Sequence, residues 1–448
     1  MNHESTIAAA STPQGTSGVA VVRMSGPESI EILSRCWRGH DPKNFKSHTL
    51  HLGWIIDAEG KEIDQVVASL FSGPNSYTGE DTVELSCHGS PWIVQHIIHR
   101  LLECGATAAS AGEFTRRAFM NGRLDLAQAE GVADMIAASS AAAARLAASQ
   151  MKGTFSQRLE EMRQKLIDLG TLLELELDFS EEEVEFADRQ KLITLSKDIC
   201  ETVNKLASSF KAGKAFKAGI PVAIAGIPNA GKSTLLNCLL EEEKAIVSDI
   251  PGTTRDVIED AVEIDGILFR FYDTAGLRDS DDTVENIGIE RARQKISEAA
   301  IILHLIDPTQ PSGRQNDIIP LDTIQPDTKI IRVGTKADIS ADVMGEFRIS
   351  ANTGQGIEEL KKQLVKFATA DFNPNNDLIV TNARHFESLK TAGEALTRLI
   401  EGLESETVPA DFLAQDLREA TYHIGTITGT VTSTELLHTI FSRYCIGK

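Results

Sequence analysis

The first part of the chain alternates short apolar runs with turn-forming clusters. Runs rich in alternating or β-branched residues at 18–24, 65–71 and 82–85 predict strands. The apolar spacing at 92–103 predicts a helix. We therefore expect a small α+β domain over residues 1–118.

The pattern changes to helical spacing at Asp125 and keeps it to about Lys211. Apolar side chains that recur every three or four residues predict long amphipathic helices packed as a bundle. The most regular stripe consists of Phe155, Leu159, Met162, Leu166, Leu169 and Leu173. We interpret this stripe as bundle core rather than as a cofactor contact. After a linker at 373–376, the same periodicity returns at Leu389, Leu396, Leu399 and Leu403.

Between Gly219 and about Ala370, strand and helix patterns alternate, which predicts an α/β domain with a parallel sheet. This domain interrupts the helical region, so we expect it to be inserted into a helical domain built from both flanks. The expected boundaries are 119–212 and 374–448 for the two helical parts and 213–373 for the inserted domain.

The composition limits the classes of protein that are possible. A chain of 448 residues, 42% of them hydrophobic, predicts several globular domains. A formal charge of −21 argues against unaided binding to nucleic-acid backbones. The absence of a membrane-length apolar run and of a signal sequence leads us to expect a cytoplasmic protein with no membrane association. The six cysteines lack metal-ligand spacing, and the acidic run at 181–185 is interpreted as a solvated face.

A phosphate-binding loop follows the predicted strand at 222–225. The sequence GIPNAGKS at 226–233 has the required spacing and continues into an apolar helix. In such a loop, glycines let backbone amides turn towards phosphates, Lys232 reaches the β- and γ-phosphates, and Ser233 binds Mg²⁺. The sequence therefore predicts a nucleotide site that uses magnesium.

Two more motifs follow in the order that a GTPase requires. DTAG at 273–276 comes after a predicted strand, so Asp273 can hold the magnesium shell while the amide of Gly276 senses the γ-phosphate. The PGTTRD motif offers a threonine to Mg²⁺, and its spacing fits Thr253 and Thr254 equally well.

Guanine is the predicted base. In TKAD at 335–338, Asp338 can accept hydrogen bonds from N1–H and from the amine of guanine, and adenine offers neither group there. We expect this carboxylate to be buried, so that ATP leaves it unpaired and GTP is preferred. Thr335 stands where asparagine is more usual, which is expected to weaken the tethering of this loop.

These motifs predict that residues 213–373 form a Ras-like α/β P-loop G domain. The predicted GTP-binding residues are Asn229, Ala230, Gly231, Lys232, Ser233, Thr234, Ser248, Asp249, Ile250, Pro251, Gly252, Thr253, Thr254, Asp273, Thr274, Ala275, Gly276, Thr335, Lys336, Ala337, Asp338, Ser350, Ala351 and Asn352.

The motifs leave the hydrolytic residues open. Leu277 occupies the position at which many GTPases carry a water-orienting glutamine. Asn229 either binds a potassium ion in place of an arginine finger or caps the loop. Spacing does not decide which nearby charged residue orients water among Arg278, Asp279, Asp281, Asp282 and Glu285.

Further motifs extend over essentially the whole chain. They are TIAA at 6–9, GTSGVAVVR at 15–23, NSYTGED at 75–81, GEFTRRAF at 112–119, LDLAQAE at 124–130 and CIGK at 445–448. Together with the nucleotide motifs, they make the sequence resemble the MnmE (TrmE) family of tRNA modification GTPases.

The resemblance implies that residues 1–118 form a folate-binding and dimerisation domain. A carboxylate suits the aminopyrimidine edge of a pterin, and basic groups suit its glutamate tail. Arg123 stands where the family often has lysine, which preserves the charge but changes the donor geometry. The residues implied to contact 5-formyl- or methylene-tetrahydrofolate are Arg23, Glu84, Arg123 and Lys448.

The resemblance also implies roles in hydrolysis and in uridine chemistry. Glu285 positions the attacking water, Ser233 and Thr254 hold Mg²⁺, and hydrolysis follows when two G domains meet. Cys445 is the implied thiol, as nucleophile or proton donor, in uridine modification. The implied potassium ligands are Asn229, Ser248, Ile250 and Thr253.

The implied partners are a second copy of the chain, tRNA, and the flavoprotein MnmG (GidA), with which the family forms a heterotetramer. The implied activity is potassium-dependent GTP hydrolysis coupled to the addition of a carboxymethylaminomethyl or aminomethyl group at C5 of the wobble uridine, with a folate-carried carbon. One alternative is a regulatory GTPase switch without modification activity, and another is a folate enzyme with a vestigial G domain.

Overall fold

The computed structural model describes residues 5–178, 189–242, 260–273, 294–311, 319, 324–340, 345–405 and 408–447. The chain divides into two compact units. Unit 1 comprises Met1–Ala133, Gln150–Gln164 and Ile424–Lys448, and unit 2 comprises Asp134–Ser149 and Lys165–His423. No helix among the described residues is both long enough and apolar enough to cross a membrane.

The described residues contain the predicted strands and helices together with further elements that the sequence patterns did not predict. The strands are β1 Ile7–Ala10, β2 Ser17–Ser25, β3 Trp37–Arg38, β4 Thr49–Ile56, β5 Glu62–Phe71, β6 Thr82–Gly89, β7 Thr107–Ala108, β8 Ile220–Gly226, β9 Asp260–Ile264, β10 Ile267–Asp273, β11 Ile301–Ile306, β12 Lys329–Gly334 and β13 Phe347–Arg348. The helices are α1 Ser29–Cys36, α2 Pro91–Glu103, α3 Glu113–Met120, α4 Leu126–Ala137, α5 Ala141–Met151, α6 Thr154–Asp178, α7 Arg189–Ser208, α8 Phe210–Ala218, α9 Lys232–Glu242, α10 Ile357–Ala368, α11 Ala383–Ser405, α12 Ala410–Thr428 and α13 Thr434–Phe441.

Unit 1 contains a seven-stranded sheet with the order β3-β4-β5-β6-β2-β1-β7. Neighbouring strands are antiparallel except for β1 and β7. One face of the sheet packs against α1 and α2, where Ile32, Leu33, Ile97 and Leu101 are fully buried. The α+β class expected for this part of the chain is confirmed, and the predicted strands lie within β2, β5 and β6.

The last residues of the chain lie against this α+β domain. The N–H group of Gly112 donates to the carbonyl of Cys445 at 3.3 Å, and the hydroxyl of Ser11 donates to the carbonyl of Gly447 at 3.1 Å. Gly112 has a φ of 63°, and a Cβ there would lie 2.6 Å from the carbonyl oxygen of Phe441. Only glycine therefore permits this close approach.

A buried arginine joins three segments of the same domain. The side chain of Arg117 is 3% exposed, and its guanidinium donates to Glu113 Oε1 at 3.0 Å, to Glu80 Oε2 at 3.1 Å and to the carbonyl of Ser5 at 2.9 Å. Burial acts to raise the pKa of Glu113, but hydrogen bonds from Ser110 and Arg117 outweigh it, so the pKa is lowered. The ion pairs of Arg117 with Glu113 and Glu80 hold α3 against the loop that precedes β6.

The helical stripe predicted from the sequence is buried along α6, and all six of its side chains are at most 5% exposed. Helix α11 packs against α7 and buries Leu389, Leu396, Leu399 and Leu403. The interpretation of these side chains as core is therefore confirmed. The acidic run at 181–185 lies outside the described residues.

Unit 2 contains a six-stranded sheet with the order β13-β12-β11-β8-β10-β9. All neighbouring pairs are parallel except β9 and β10. Its core combines β8, β10 and β11 with Leu235 and Leu239 of α9 and with Leu360 and Leu364 of α10. The predicted inserted α/β domain is confirmed within the described residues.

The chain enters and leaves this α/β domain at neighbouring points. The N–H group of Val380, just before α11, donates to the hydroxyl of Ser209 at 2.9 Å, just before α8. A Cβ at Gly213 would collide with the carbonyl of Val380, so α8 and this segment are in close contact. Both ends of the inserted domain are thereby held side by side.

We predict that Arg117→Met lowers the free energy of unfolding of the α+β domain by about 3–5 kcal/mol, because it removes the buried cation that Glu80 and Glu113 share. All three tryptophans lie in this domain, so urea unfolding followed by tryptophan fluorescence measures its stability. The matched control is Arg38→Met, which removes an exposed pair with Glu62 and should cost less than about 1 kcal/mol. Equal losses for the two variants would contradict the prediction.

Candidate functional site

The nucleotide motifs follow parallel strands of one sheet. In the register of these strands, Leu305 of β11 pairs with Gly226 at the end of β8, and Ile306 pairs with Gly334 at the end of β12. The segments that follow β8, β11 and β12 therefore leave the sheet at the same edge. In an open parallel sheet, ligands bind at this carboxyl edge.

The phosphate-binding loop has the backbone conformation that its sequence predicts. Asn229 and Gly231 have positive φ angles of 63° and 95°, which asparagine and glycine adopt more readily than other residues. A Cβ at Gly231 would meet no atom within 4 Å, so the backbone faces open space there. Helix α9 begins directly after this turn, and its first N–H groups lie at the sheet edge, where they can bind an anion.

Lys232 is held within this loop. Its ammonium group donates to the carbonyls of Gly226 at 2.9 Å and Ile227 at 3.1 Å, and the residue is only 9% exposed. The positive charge is therefore fixed beside the backbone amides rather than extended into solvent. Ser233 and Thr234 are exposed at the start of α9.

The predicted base-reading loop, residues 335–338, is tethered to the end of β11. The N–H group of Thr335 donates to the carbonyl of Ile306 at 2.9 Å, and its hydroxyl donates to the same oxygen at 3.3 Å. Ala337 donates from its N–H to the carbonyl of Ile349 at 3.0 Å. The expected burial of Asp338 is wrong for the protein alone, because this side chain is exposed.

Sequence reasoning missed Asp307, which directly follows β11. Its side chain is 1% exposed and accepts hydrogen bonds from the ammonium of Lys336 at 2.6 Å and from the backbone and hydroxyl of Thr309. Burial acts to raise the pKa of Asp307, but these bonds outweigh it and the pKa is lowered. The signal in the sequence was an aspartate at the end of an apolar strand.

The third predicted base contact lies after β13. Ser350 is 1% exposed, and its N–H group donates to the carbonyl of Gln355 at 3.0 Å. Its hydroxyl is buried without a hydrogen-bond partner among the described residues. A buried hydroxyl without a hydrogen-bond partner is unfavourable, and a bound ligand would supply that partner. Ala351 is half-buried and Asn352 is exposed.

Many of the predicted residues lie outside the part of the chain that the structure describes. For Asp273 only the backbone is described, at the end of β10. The other such residues are Ser248, Asp249, Ile250, Pro251, Gly252, Thr253, Thr254, Thr274, Ala275, Gly276, Glu285 and Lys448.

The described residues offer oxygen ligands suited to hard cations. Asn229 is exposed and its side chain makes no hydrogen bond to the described residues, so its carbonyl is accessible to a cation. Ser233 presents a hydroxyl at the start of α9. Such oxygens suit Mg²⁺ and alkali cations. No cluster of three or more His, Cys, Asp and Glu side chains that could hold a metal occurs among the described residues.

A second polar site lies on the sheet of unit 1. Arg23 of β2 forms a 2.8 Å ion pair with Glu84 of β6. The rings of Tyr77 and Phe114 lie 5.4 Å and 5.6 Å from the guanidinium carbon of Arg23. Burial raises the pKa of Tyr77, whose hydroxyl lies 2.9 Å from that of Thr115. The sequence analysis had not assigned a role to either aromatic residue.

Two other predicted residues lie on the segments that flank this pair. The Cγ of Arg123 lies about 3.2 Å from the place that a Cβ on Gly79 would occupy, two residues after Tyr77. Cys445 is exposed, and its carbonyl accepts from the N–H group of Gly112, two residues before Phe114. Arg23 and Glu84 are thus in direct contact, whereas Arg123 and Cys445 belong to neighbouring segments.

Comparisons with known proteins agree along the whole chain. Residues 6–123 match the domain described as the amino-terminus of the GTP-binding protein TrmE, and residues 126–445 match the MnmE helical domain. The tRNA modification GTPase MnmE of Cytophaga hutchinsonii is 46% identical, covering 100% of this chain and 98% of the relative. The protein of the same name from Bacteroides thetaiotaomicron is also 46% identical, covering 100% of both chains.

Among solved structures, the G domain of the T. maritima FeoB iron transporter is 26% identical and covers 34% of this chain and 99% of that chain, with a TM-score of 0.27. The family assignment depends on the full-length relatives and on the two matched domains. With full-length identity near one half and both characteristic domains present, this chain belongs to the MnmE family of tRNA modification GTPases.

Proposed function

We propose that this protein is a potassium-dependent GTPase that modifies C5 of the wobble uridine in certain tRNAs, together with the flavoprotein MnmG (GidA). Its family membership makes it a tRNA modification GTPase. The added group is a carboxymethylaminomethyl or aminomethyl group whose carbon comes from a tetrahydrofolate derivative. The proposed domains are residues 1–118, 119–212 with 374–448, and 213–373.

One observation carries the GTPase proposal: the phosphate loop follows β8 and the base-reading loop follows β12, and these two strands pair in parallel with β11 on either side of it, so both loops leave the sheet at the same edge. Phosphates bind to the backbone amides, to Lys232 and to the start of α9. Guanine binds to Asp338. The buried hydroxyl of Ser350 belongs to the third predicted base contact, residues 350–352. Magnesium bound to Ser233 and Thr254 would neutralise charge on the phosphates.

For hydrolysis, we propose that Glu285 orients the attacking water. Leu277 has no polar atom for that task, which supports a residue elsewhere in the same segment. Potassium would be held by Asn229, Ser248, Ile250 and Thr253, and it would supply the positive charge that an arginine finger supplies in other GTPases. The accessible side chain of Asn229 supports this role.

The Arg23–Glu84 pair supports the proposed folate site. The carboxylate of Glu84 has a second oxygen available for the aminopyrimidine edge of a pterin, while Arg23 lies against the rings of Tyr77 and Phe114. Arg123 and Lys448 would meet the negative glutamate tail. Cys445 belongs to the carboxyl-terminal segment that lies against the same domain, which supports its role in uridine modification.

The exposed apolar face of the same sheet supports a homodimer. Leu50 and Leu52 of β4 are 71% and 64% exposed, and Val19 of β2 is 60% exposed. Because side chains alternate along a strand, Val19 shares a sheet face with Arg23, and this face also carries Glu84. Exposed apolar patches of this kind mark interfaces, and a second copy of the chain would cover this one.

The alternative is a regulatory GTPase switch without modification activity. The nucleotide loops are compatible with either function. The Arg23–Glu84 pair and the contact of the carboxyl-terminal segment with the α+β domain favour modification, because a switch has no need of them. We propose a cytoplasmic location, where tRNA is available.

We predict that Asp338→Asn lowers the affinity for GTP by about 10- to 100-fold and leaves the weak affinity for ATP unchanged. An amide cannot accept from both guanine donors. Competition against a fluorescent guanine nucleotide measures both affinities. The control Asp327→Asn removes an exposed carboxylate of the same domain and should have no effect. Retained preference for GTP in Asp338→Asn would refute the assignment.

We predict that GTP hydrolysis is about tenfold or more faster in K⁺ than in Na⁺, because a potassium ion stabilises charge in the transition state. Asn229→Ala should remove this difference, and steady-state phosphate release measures it. The control Asn375→Ala changes an exposed asparagine outside the phosphate loop and should keep the K⁺ dependence. Equal wild-type rates in the two salts would exclude the potassium site.

The modification proposal is tested in a deletion strain by mass spectrometry of the wobble uridine. Wild-type protein should restore the modified nucleoside, and Cys445→Ser should not, although the purified variant still hydrolyses GTP. Cys200→Ser, which changes a buried cysteine of α7, serves as the control and should restore modification. Normal tRNA in the deletion strain would favour the regulatory switch, and restoration by Cys445→Ser would remove the thiol from the mechanism.

A further inference from the structure

We propose that Asp307 is a positioning residue for guanine recognition and that it acts through Lys336. This inference rests on the proposed GTP-binding function and extends it to a residue outside the nucleotide motifs. Asp307 follows β11, the strand that lies between the strand of the phosphate loop and the strand of the base-reading loop.

The contacts of Asp307 connect it to the base-reading loop. Oδ2 accepts from the ammonium of Lys336 at 2.6 Å, while Oδ1 accepts from the backbone N–H of Thr309 at 2.9 Å and from its hydroxyl at 2.7 Å. The two bonds from Thr309 fix the plane of the carboxylate, and Oδ2 is therefore directed at Lys336. The carboxylate is 1% exposed, so water competes little for this pair.

The backbone of Lys336 explains why the loop needs this anchor. Lys336 has a φ of 54°, in the left-handed region that residues other than glycine seldom occupy. Such a conformation persists where the surrounding contacts fix it. The side chain that fixes it here reaches Asp307, and the residue two positions further along is Asp338. A shift of Lys336 would therefore displace the carboxylate that recognises guanine.

The unusual first residue of the loop adds to the need for this contact. Thr335 bonds through its N–H group and its hydroxyl to one acceptor, the carbonyl of Ile306. Asp307 is the next residue of the chain. Two successive residues of the loop are thus anchored to two successive residues at the end of β11. We infer that this double anchor replaces the tethering that an asparagine provides at position 335 in other GTPases.

The test measures the binding of GDP and ADP to the full-length protein by isothermal titration. Asp307→Asn keeps the shape of the side chain but loses its charge, and it should lower the affinity for GDP by about 10- to 100-fold. The affinity for ADP should stay unchanged, so the ratio of the two affinities falls. Asp327→Asn is the matched control, because it removes an exposed carboxylate that pairs with Lys211 at 2.7 Å. That variant should retain the wild-type ratio.

A double-mutant cycle with Lys336→Met separates positioning from a general structural role. If Asp307 acts through Lys336, Asp307→Asn should cost nothing further in the Lys336→Met protein. Additive losses would overturn the proposal, as would an unchanged ratio in Asp307→Asn. If Asp307→Asn does not fold, Thr309→Val replaces it in the same cycle. Thr309→Val alone should lower the affinity for GDP by several-fold. In the Lys336→Met protein, Thr309→Val should cause no further loss. Wild-type protein that binds neither GDP nor GTP would refute the proposed function itself, a result distinct from an unaffected variant.

Discussion

The parallel pairing of β8, β11 and β12 is the constraint on which the nucleotide site depends. Because the strands run in the same direction and in a fixed register, three loops that are far apart in the sequence begin at one edge. None of these loops forms a site alone. The register brings a lysine, a run of backbone amides and a base-reading carboxylate to the same edge, so core packing between the strands and α9 and α10 has a direct effect on chemistry.

Fixed cations are a second theme of the structure. The chain carries a formal charge of −21, yet Lys232, Lys336 and Arg117 are each held by oxygen acceptors close by. Two of them lie at the nucleotide edge, and the third joins segments of the α+β domain. These three cations are therefore held in fixed positions within an acidic protein. A net charge of −21 does not favour broad contact with a nucleic-acid backbone.

Local patterns were sufficient to predict the main strands, the helical regions and the phosphate loop of this protein, whereas they did not predict contacts between distant segments. The phosphate loop is encoded by consecutive residues, so its place between β8 and α9 was predictable from the motif alone. The role of Asp307 depends on which strand lies beside β12, and no spacing rule reveals that neighbour. The exposure of Asp338 was not predicted, because the local spacing of residues does not show how much of a side chain the rest of the protein covers.

The two ends of the inserted domain are joined through Ser209, Gly213 and Val380. Because the two ends of the inserted domain lie next to each other, the helical segments before and after it stay adjacent whatever domain lies between them. A nucleotide-binding domain can therefore be inserted at this point without a change in the helices on either side of it.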